Sequence, residues 1–115
     1  MILLAPHLTA FLRERLPRER HASPHTCDAY AYAFQLLLTF ASKRLRTQPS
    51  SLPLEQFDVP LVLAFLEDLE TNRSNGARTR NARLAAIKSF ARFIEFRVPE
   101  CVAQAHRLLA IPSKK

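Results

Sequence analysis

Apolar residues recur every three to four positions along most of the chain, the spacing that places side chains on one face of an α-helix. This pattern predicts a first helix over residues 4–16, which Pro17 ends. Ser23 and Pro24 predict the start of a second helix, with the serine as N-cap and the proline in the first helical turn. The second helix is predicted to continue to about Arg46.

Two further segments predict long helices, and one predicts a short helix. A third helix is predicted to begin at Asp58, whose carboxylate caps it, and a turn over residues 71–76 follows it. A fourth helix is predicted over residues 77–97 and a shorter fifth helix from Pro99, whereas residues 47–53 are predicted to form a polar loop. The positions predicted to be buried on the three long helices are Cys27, Tyr30, Phe34, Leu37, Leu38, Ala41, Leu45, Leu61, Val62, Phe65, Leu66, Leu69, Leu84, Ile87, Phe90, Ala91, Ile94 and Val98. No alternating β pattern is present, so the predicted fold is all-α, a compact bundle of four to five helices.

The composition narrows the possible functions of a chain of 115 residues, a length that suits one domain. The single glycine excludes a glycine-rich phosphate loop and argues against a turn-rich β-sandwich. No apolar run reaches the roughly 18 residues of a membrane span, and no signal-peptide pattern opens the chain, so a cytoplasmic location without a membrane partner is predicted. The two cysteines and four histidines lack metal-ligand spacing, so neither a metal nor a cofactor is predicted.

Charge is distributed unevenly along the chain, whose formal net charge is +7. Residues 1–50 carry seven basic and three acidic side chains, residues 51–75 carry one basic and five acidic, and residues 76–115 carry nine basic and two acidic. Between Glu70 and Glu95 there is no acidic residue. A basic segment of this kind is either a solvated face or a binding surface for a polyanion, and its confinement to one region favours nucleic acid.

The predicted fourth helix separates its buried face from a basic one. Opposite the buried residues lie Arg78, Asn81, Ala82, Ala85, Ser89 and Arg92, with Lys88 at the flank. Small side chains between basic ones let a helix approach the major groove closely, and arginine and asparagine pair bidentately with guanine and adenine edges. The alternative interpretation is that Ala85 and Ser89 face solvent and have no role in binding. Arg80 and Arg83 lie towards the core side and are predicted to reach phosphates or structural acids rather than bases.

Three segments resemble one known protein family in the same order and at the same spacing. They are Ser23-x-x-Thr26-x-x-Ala29-Tyr30 followed by Phe34 and Phe40; Asp58-Val59 to Leu69; and Ala77-Arg78-Thr79 leading through Leu84-Ala85-Ala86-Ile87-Lys88-Ser89-Phe90 to Phe93-Ile94. Together they resemble the N-terminal core-binding domain of phage-integrase or Xer-type tyrosine recombinases, over about residues 4–112.

The resemblance implies a SAM-like helical bundle that forms one half of a clamp around double-stranded DNA, with its second and fourth helices facing the major groove. The residues that the resemblance and the basic face select for DNA binding are His25, Thr26, Arg78, Thr79, Asn81, Lys88 and Arg92. Many family members carry basic residues just after the tyrosine, where this chain has Ala31 and Tyr32. Tyr32 is therefore expected either to stack on a sugar or to pack against a neighbouring protomer.

The resemblance also implies that the recombination chemistry lies outside this segment. That chemistry needs an arginine, a lysine and an H-x-x-R motif to stabilise charge at the phosphate, and a tyrosine nucleophile. No histidine here has an arginine three residues later, and Tyr30 and Tyr32 lie early in a helix. We therefore expect a DNA-binding domain at 1–112 without catalysis, and at 113–115 the start of a linker to the catalytic domain of a full-length bacterial tyrosine recombinase. The expected partners are double-stranded DNA at the nucleoid, that catalytic domain and other recombinase protomers.

Two other functions fit the same helical pattern. A SAM-type or death-domain-type protein-interaction module would use Tyr32, Phe93 and Phe96 as contact residues and could associate head to tail through its acidic and basic segments. An accessory DNA-binding protein, such as a free-standing helix-turn-helix repressor, is the other alternative. It fits less well because no short helix pair with a tight turn precedes the basic helix.

Overall fold

Proline and capping residues set the helix boundaries in the computed structural model, which describes residues 1–115. The α-helices are α1 (Leu4–Ala10), α2 (Pro24–Leu45), α3 (Val59–Thr71), α4 (Ala77–Arg97) and α5 (Val102–Leu109). Three short 3₁₀ turns cover Pro49–Ser51, Leu54–Gln56 and Pro99–Cys101, and the chain forms no β-sheet. The predicted all-α fold and the predicted bounds of the three long helices are confirmed.

The predicted end of the first helix at Pro17 is wrong. After α1 the chain continues as a π-helix over Phe11–Glu19, with Pro17 inside it. An α-helical proline clashes with the carbonyl four residues earlier and leaves one hydrogen bond unmade. The wider π turn pairs residues five apart, as in the 2.9 Å bond from the Arg20 amide to the Arg15 carbonyl, and so accommodates the ring.

Side-chain caps fix the starts of α2 and α3 as predicted. The Ser23 hydroxyl accepts a hydrogen bond from the Thr26 amide at 3.1 Å, and Asp58 Oδ1 accepts one from the Leu61 amide at 3.0 Å. Each cap satisfies an amide that has no partner within its helix, which typically stabilises a protein by about 1 kcal/mol. At the other end of α2, Arg46 adopts a left-handed conformation with φ of 51° and ends the helix.

The chain divides into two compact units, Met1–Leu54 and Glu55–Lys115. In the first unit, the Phe11 and Phe34 rings meet edge to face with centroids 6.2 Å apart. Phe34, Leu37 and Ala41 of the predicted α2 face are buried, whereas Cys27, Tyr30, Leu38 and Leu45 are half-buried.

The segment predicted as a polar loop contributes to the core of the first unit. Leu52 of that segment and Leu54, just after it, are fully buried. The Leu4 amide donates to the Leu52 carbonyl at 2.9 Å, and the Leu54 amide donates to the Ile2 carbonyl at 2.8 Å. These bonds hold the segment against the start of the chain, which explains the burial of the two leucines.

In the second unit, α3, α4 and α5 pack around a shared core. All the predicted positions of α3 and α4 are buried, and Phe57 meets Phe90 edge to face with ring centroids 5.4 Å apart. Ala86 and Phe93 are buried as well, because α4 packs against both α3 and α5. Phe93 therefore belongs to the core, and its assignment as a surface contact of an interaction module is wrong. None of the helices combines the length and apolarity that a membrane span requires.

Candidate nucleic-acid interface

The outward face of α4 is basic and thin. Arg78, Ala82, Ala85 and Arg92 are exposed and Ser89 is half-buried; we call these five residues the basic stripe. The stripe extends for about 21 Å along the helix, given a rise of about 1.5 Å per residue. Between its two arginines the side chains are no larger than serine, so a ligand can approach the helix backbone closely there.

Three cations on this side of α4 have no acidic partner within the chain. Arg78 and Arg92 lie on the stripe, and the half-buried Lys88 lies at its flank. None of them takes part in an ion pair with an acidic side chain. Thr79, which follows Arg78, is half-buried. Unpaired cations in a row attract polyanions, and a duplex presents phosphates at regular intervals.

Arg80 has a structural role: of the two predicted alternatives, a phosphate or a structural acid, it contacts an acid of the chain. Its side chain is 8% exposed, and its Nε lies 3.5 Å from Oε1 of Glu70 on α3. Its Nη1 donates hydrogen bonds of 3.2 Å to the Pro112 carbonyl and to Asn81 Oδ1. A buried guanidinium is costly unless it is paired and hydrogen-bonded. Glu70 pairs it and its Nη1 is hydrogen-bonded, whereas its Nε has no hydrogen-bond partner.

Asn81, predicted to contact DNA, contacts the end of the chain in this structure. Its Nδ2 donates to the Lys114 carbonyl at 2.6 Å, and its Oδ1 accepts from the Lys114 amide at 2.9 Å. The Lys114 ammonium in turn lies 2.7 Å from Oε2 of Glu70. Both polar atoms of the Asn81 amide therefore have partners within the chain.

The start of α2 carries the other two residues predicted to contact DNA. His25 is exposed and Thr26 is half-buried. The Thr26 hydroxyl lies 3.1 Å from the Ser23 hydroxyl, so it takes part in the N-cap. Ala29 and Tyr32 are exposed further along the helix, as their wheel positions predict. Arg78, Thr79, Asn81, Lys88 and Arg92 thus share one helix, whereas His25 and Thr26 lie on a helix of the other unit.

Phe96, predicted only as a contact residue of an interaction module, lies in line with the basic stripe, which the sequence analysis did not predict. Phe96 is 83% exposed near the end of α4. It follows Arg78 by 18 residues, which is five full helical turns, so its side chain continues the same face. This alignment can be predicted from the sequence, because at 100° per residue Phe96 and Arg78 have the same angle on a helical wheel.

The structure contains no cluster of three or more His, Cys, Asp or Glu residues that could hold a metal. Cys27 and Cys101 are both free thiols. Burial raises the pKa of Cys101, and the nearby carboxylates of Glu100 and Glu55 raise it further, so this thiol stays protonated over a wider range of pH.

Comparison with known proteins decides the family. The sequence model of the phage integrase N-terminal SAM-like domain matches residues 8–97, which include α2, α3 and α4 in full. The chain belongs to this family. The resemblance in the three segments is confirmed, and the helical unit that carries the basic stripe is part of a SAM-like integrase domain.

Two curated relatives from Sinorhizobium fredii carry the names "Putative integrase/recombinase y4rC" and "Putative integrase/recombinase y4rD". The first is 51% identical over 112 residues, covering 97% of this chain and 34% of the relative. The second is 46% identical over 114 residues, covering 99% of this chain and 41% of the relative. The integrase domain therefore spans between a third and about two-fifths of the length of these proteins. No solved structure matches the chain.

Proposed function

We propose that this integrase domain is a DNA-binding domain of a site-specific tyrosine recombinase, which holds duplex DNA through α2 and α4 and does not itself catalyse strand cleavage. The observation that carries the proposal is the basic stripe of α4, with its unpaired arginines and small intervening residues. A helix with this surface suits the major groove, because its small side chains let the helix lie close to the base edges.

Each of the three unpaired cations on this side of α4 has a role in this proposal. Lys88 and Arg92 contact phosphates, since they lie along the middle and later turns of the helix. Arg78, in the first turn, reads a base edge, and Thr79 beside it contacts the backbone. His25 and Thr26 meet the duplex at the start of α2. Asn81 is the remaining predicted contact, but in this structure its side-chain amide is hydrogen-bonded to Lys114.

The rest of the recombinase supplies what this domain lacks. In the proposed arrangement residues 1–112 are the DNA-binding domain and residues 113–115 begin a linker to a catalytic domain in the same full-length chain. That domain provides the arginine, lysine, H-x-x-R motif and tyrosine nucleophile, and closes the clamp on the other face of the duplex. Other protomers assemble on the same DNA, at the nucleoid of a bacterial cytoplasm.

Salt-dependent DNA binding tests the proposal directly. Fluorescence anisotropy of a labelled duplex, measured at several salt concentrations, should give weak binding that declines steeply with salt, because phosphate neutralisation releases counterions. Replacing Lys88 or Arg92 with alanine should weaken binding to all sequences and lower the salt slope by about one unit each. The matched control is Arg13→Ala, which removes an exposed arginine from the π-helix outside the proposed interface. Equal effects of all three changes would contradict the groove assignment.

A protein-interaction function is the second candidate, and the exposed Phe96 and Tyr32 favour it. Both side chains present aromatic surface to solvent, which is a frequent feature of contact residues. Sedimentation of the wild type and of Phe96→Ser would distinguish the two functions. Self-association lost in the variant, together with absence of DNA binding in the wild type, would support an interaction module.

A further inference from the structure

Residues 112–114, which we call the strap, leave α5 and lie along the first turns of α4. The strap begins at Pro112, directly after the buried Ile111. Its backbone accepts a hydrogen bond from Arg80 at the Pro112 carbonyl and makes two with Asn81 at Lys114. The Lys114 ammonium ends on Glu70, with its Nζ 2.7 and 2.9 Å from the two carboxylate oxygens. An otherwise exposed segment is therefore held by three side chains.

The contact between Asn81 and Lys114 has the same donor and acceptor pattern as a base contact. An asparagine that reads adenine donates from its amide nitrogen to N7 and accepts from the N6 amino group. In this structure the Lys114 carbonyl takes the place of N7, and the Lys114 amide takes the place of the amino group. One planar amide offers one such pair of atoms, so it cannot hold the strap and an adenine in this way at once.

We infer that the strap is an intramolecular competitor of DNA for Asn81, docked in the free protein and displaced when α4 enters the groove. This inference rests on the proposed function, since it needs a duplex at the basic stripe. Asn81 lies one turn from Arg78, the proposed base contact, so a groove-bound α4 brings a base edge towards both residues.

Amide exchange of Lys114 measures docking and release in the same protein. In free protein its amide should exchange at least about fivefold more slowly than an unstructured amide, because it donates to Asn81. Saturation with a duplex enriched by rounds of binding selection should remove this protection. The Ile111 amide, bonded to the Leu108 carbonyl at 3.2 Å, is the internal control and should keep its protection in both states.

A pair of variants with equal charge tests the effect on affinity. Lys114→Pro removes the backbone N–H that donates to Asn81 Oδ1 and the ammonium that binds Glu70. Lys115→Ala removes one ammonium only. Both changes are at exposed positions, so both proteins should fold. Competition predicts that Lys114→Pro binds the selected duplex about two- to fivefold more tightly than Lys115→Ala at the same salt concentration.

Four results separate the failure of this inference from that of the proposed function. Rapid Lys114 exchange in the free protein would overturn docking. Protected Lys114 in the saturated complex, or equal affinities of the two variants, would overturn competition while leaving DNA binding intact. Absence of DNA binding by the wild type would overturn the proposed function and, with it, the competition.

Discussion

Arg80 and Glu70 form an ion pair that joins α4 to α3 within the second unit, with 3.5 Å between Nε and Oε1. Arg80 is 6% exposed, which makes it a buried charged residue in an otherwise apolar core. The Glu70 carboxylate also binds the Lys114 ammonium, so one acid neutralises two cations at the start of the basic helix. The acid-poor surface of α4 thus begins beside a buried cation that is paired with an acid of α3.

The first prediction is that Glu70→Ala destabilises the domain by about 1–3 kcal/mol, because it leaves the buried guanidinium of Arg80 without its acid. Chemical denaturation measures the loss. Glu67→Ala removes an exposed carboxylate of the same helix and should change the unfolding free energy by less than about 0.5 kcal/mol. Equal losses in the two variants would mean that the ion pair has no structural role.

Core truncations provide the second prediction. Phe34 and Ile87 are each 1% exposed, one in each compact unit. Phe34→Ala should cost about 3–5 kcal/mol and Ile87→Ala about 2–5 kcal/mol, since each leaves a cavity that the surrounding core fills only in part. Urea denaturation by circular dichroism tests both. Losses below about 1 kcal/mol would contradict the packing of these residues.

The long helices could be predicted because local signals and packing agree in them. Asp58 caps α3, and the apolar spacing of α3 and α4 identifies their buried faces. The π-helix around Pro17 was missed because the usual rule treats an internal proline as a stop and ignores a wider turn. Leu52 and Leu54 were missed because their burial depends on backbone pairing with the distant start of the chain.

For the candidate site, the sequence predicted the exposed face of α4 but not the partner of Asn81. Helical periodicity fixes the direction of a side chain relative to its own helix, and so places Arg78 and Arg92 outward. The contact of Asn81 with Lys114 spans 33 residues and involves the backbone of an irregular segment, for which no sequence pattern exists.

The third prediction concerns the cap of α2. Ser23→Ala should destabilise the domain by about 1 kcal/mol, because the Thr26 amide loses its acceptor. Ser23→Asp should retain most of the stability, since aspartate caps equally well and its charge suits a helix N-terminus. Thermal unfolding of the three proteins gives the order; Ser23→Ala matching the wild type would exclude a role for the cap.

Cysteine reactivity offers the fourth prediction, with a defined dependence on pH. Burial and the carboxylates of Glu100 and Glu55 raise the pKa of the Cys101 thiol above the ordinary value of 9.0. At pH 8 Cys101 should react with a thiol reagent far more slowly than the half-buried Cys27, because the reactive thiolate is scarce and shielded. A folded-state pKa above the unfolded one stabilises the protein below pH 9.0, and this stability is lost as pH rises through the folded value. Mass spectrometry after timed alkylation, with Cys27→Ser as the control, resolves the two sites. Equal rates would contradict the burial of Cys101.

The fifth prediction separates base reading from phosphate contact on α4. Arg78 lies in the first turn of the helix with its side chain exposed, whereas Lys88 and Arg92 lie further along the same side. In the proposed complex, Arg78→Ala should reduce the preference for one base position by about 1–3 kcal/mol, because an arginine that pairs with a guanine edge carries sequence information.

Binding selection from a random duplex library, carried out in parallel on the wild type, Arg78→Ala and Arg92→Ala, measures that preference. The Arg78 variant should enrich sequences that vary at one position where the wild type selects a single base pair. The Arg92 variant should enrich the wild-type sequence with weaker binding throughout, because a phosphate contact does not depend on the base. If both variants lose preference at the same position, or neither does, Arg78 contacts the DNA backbone like the other cations of this helix.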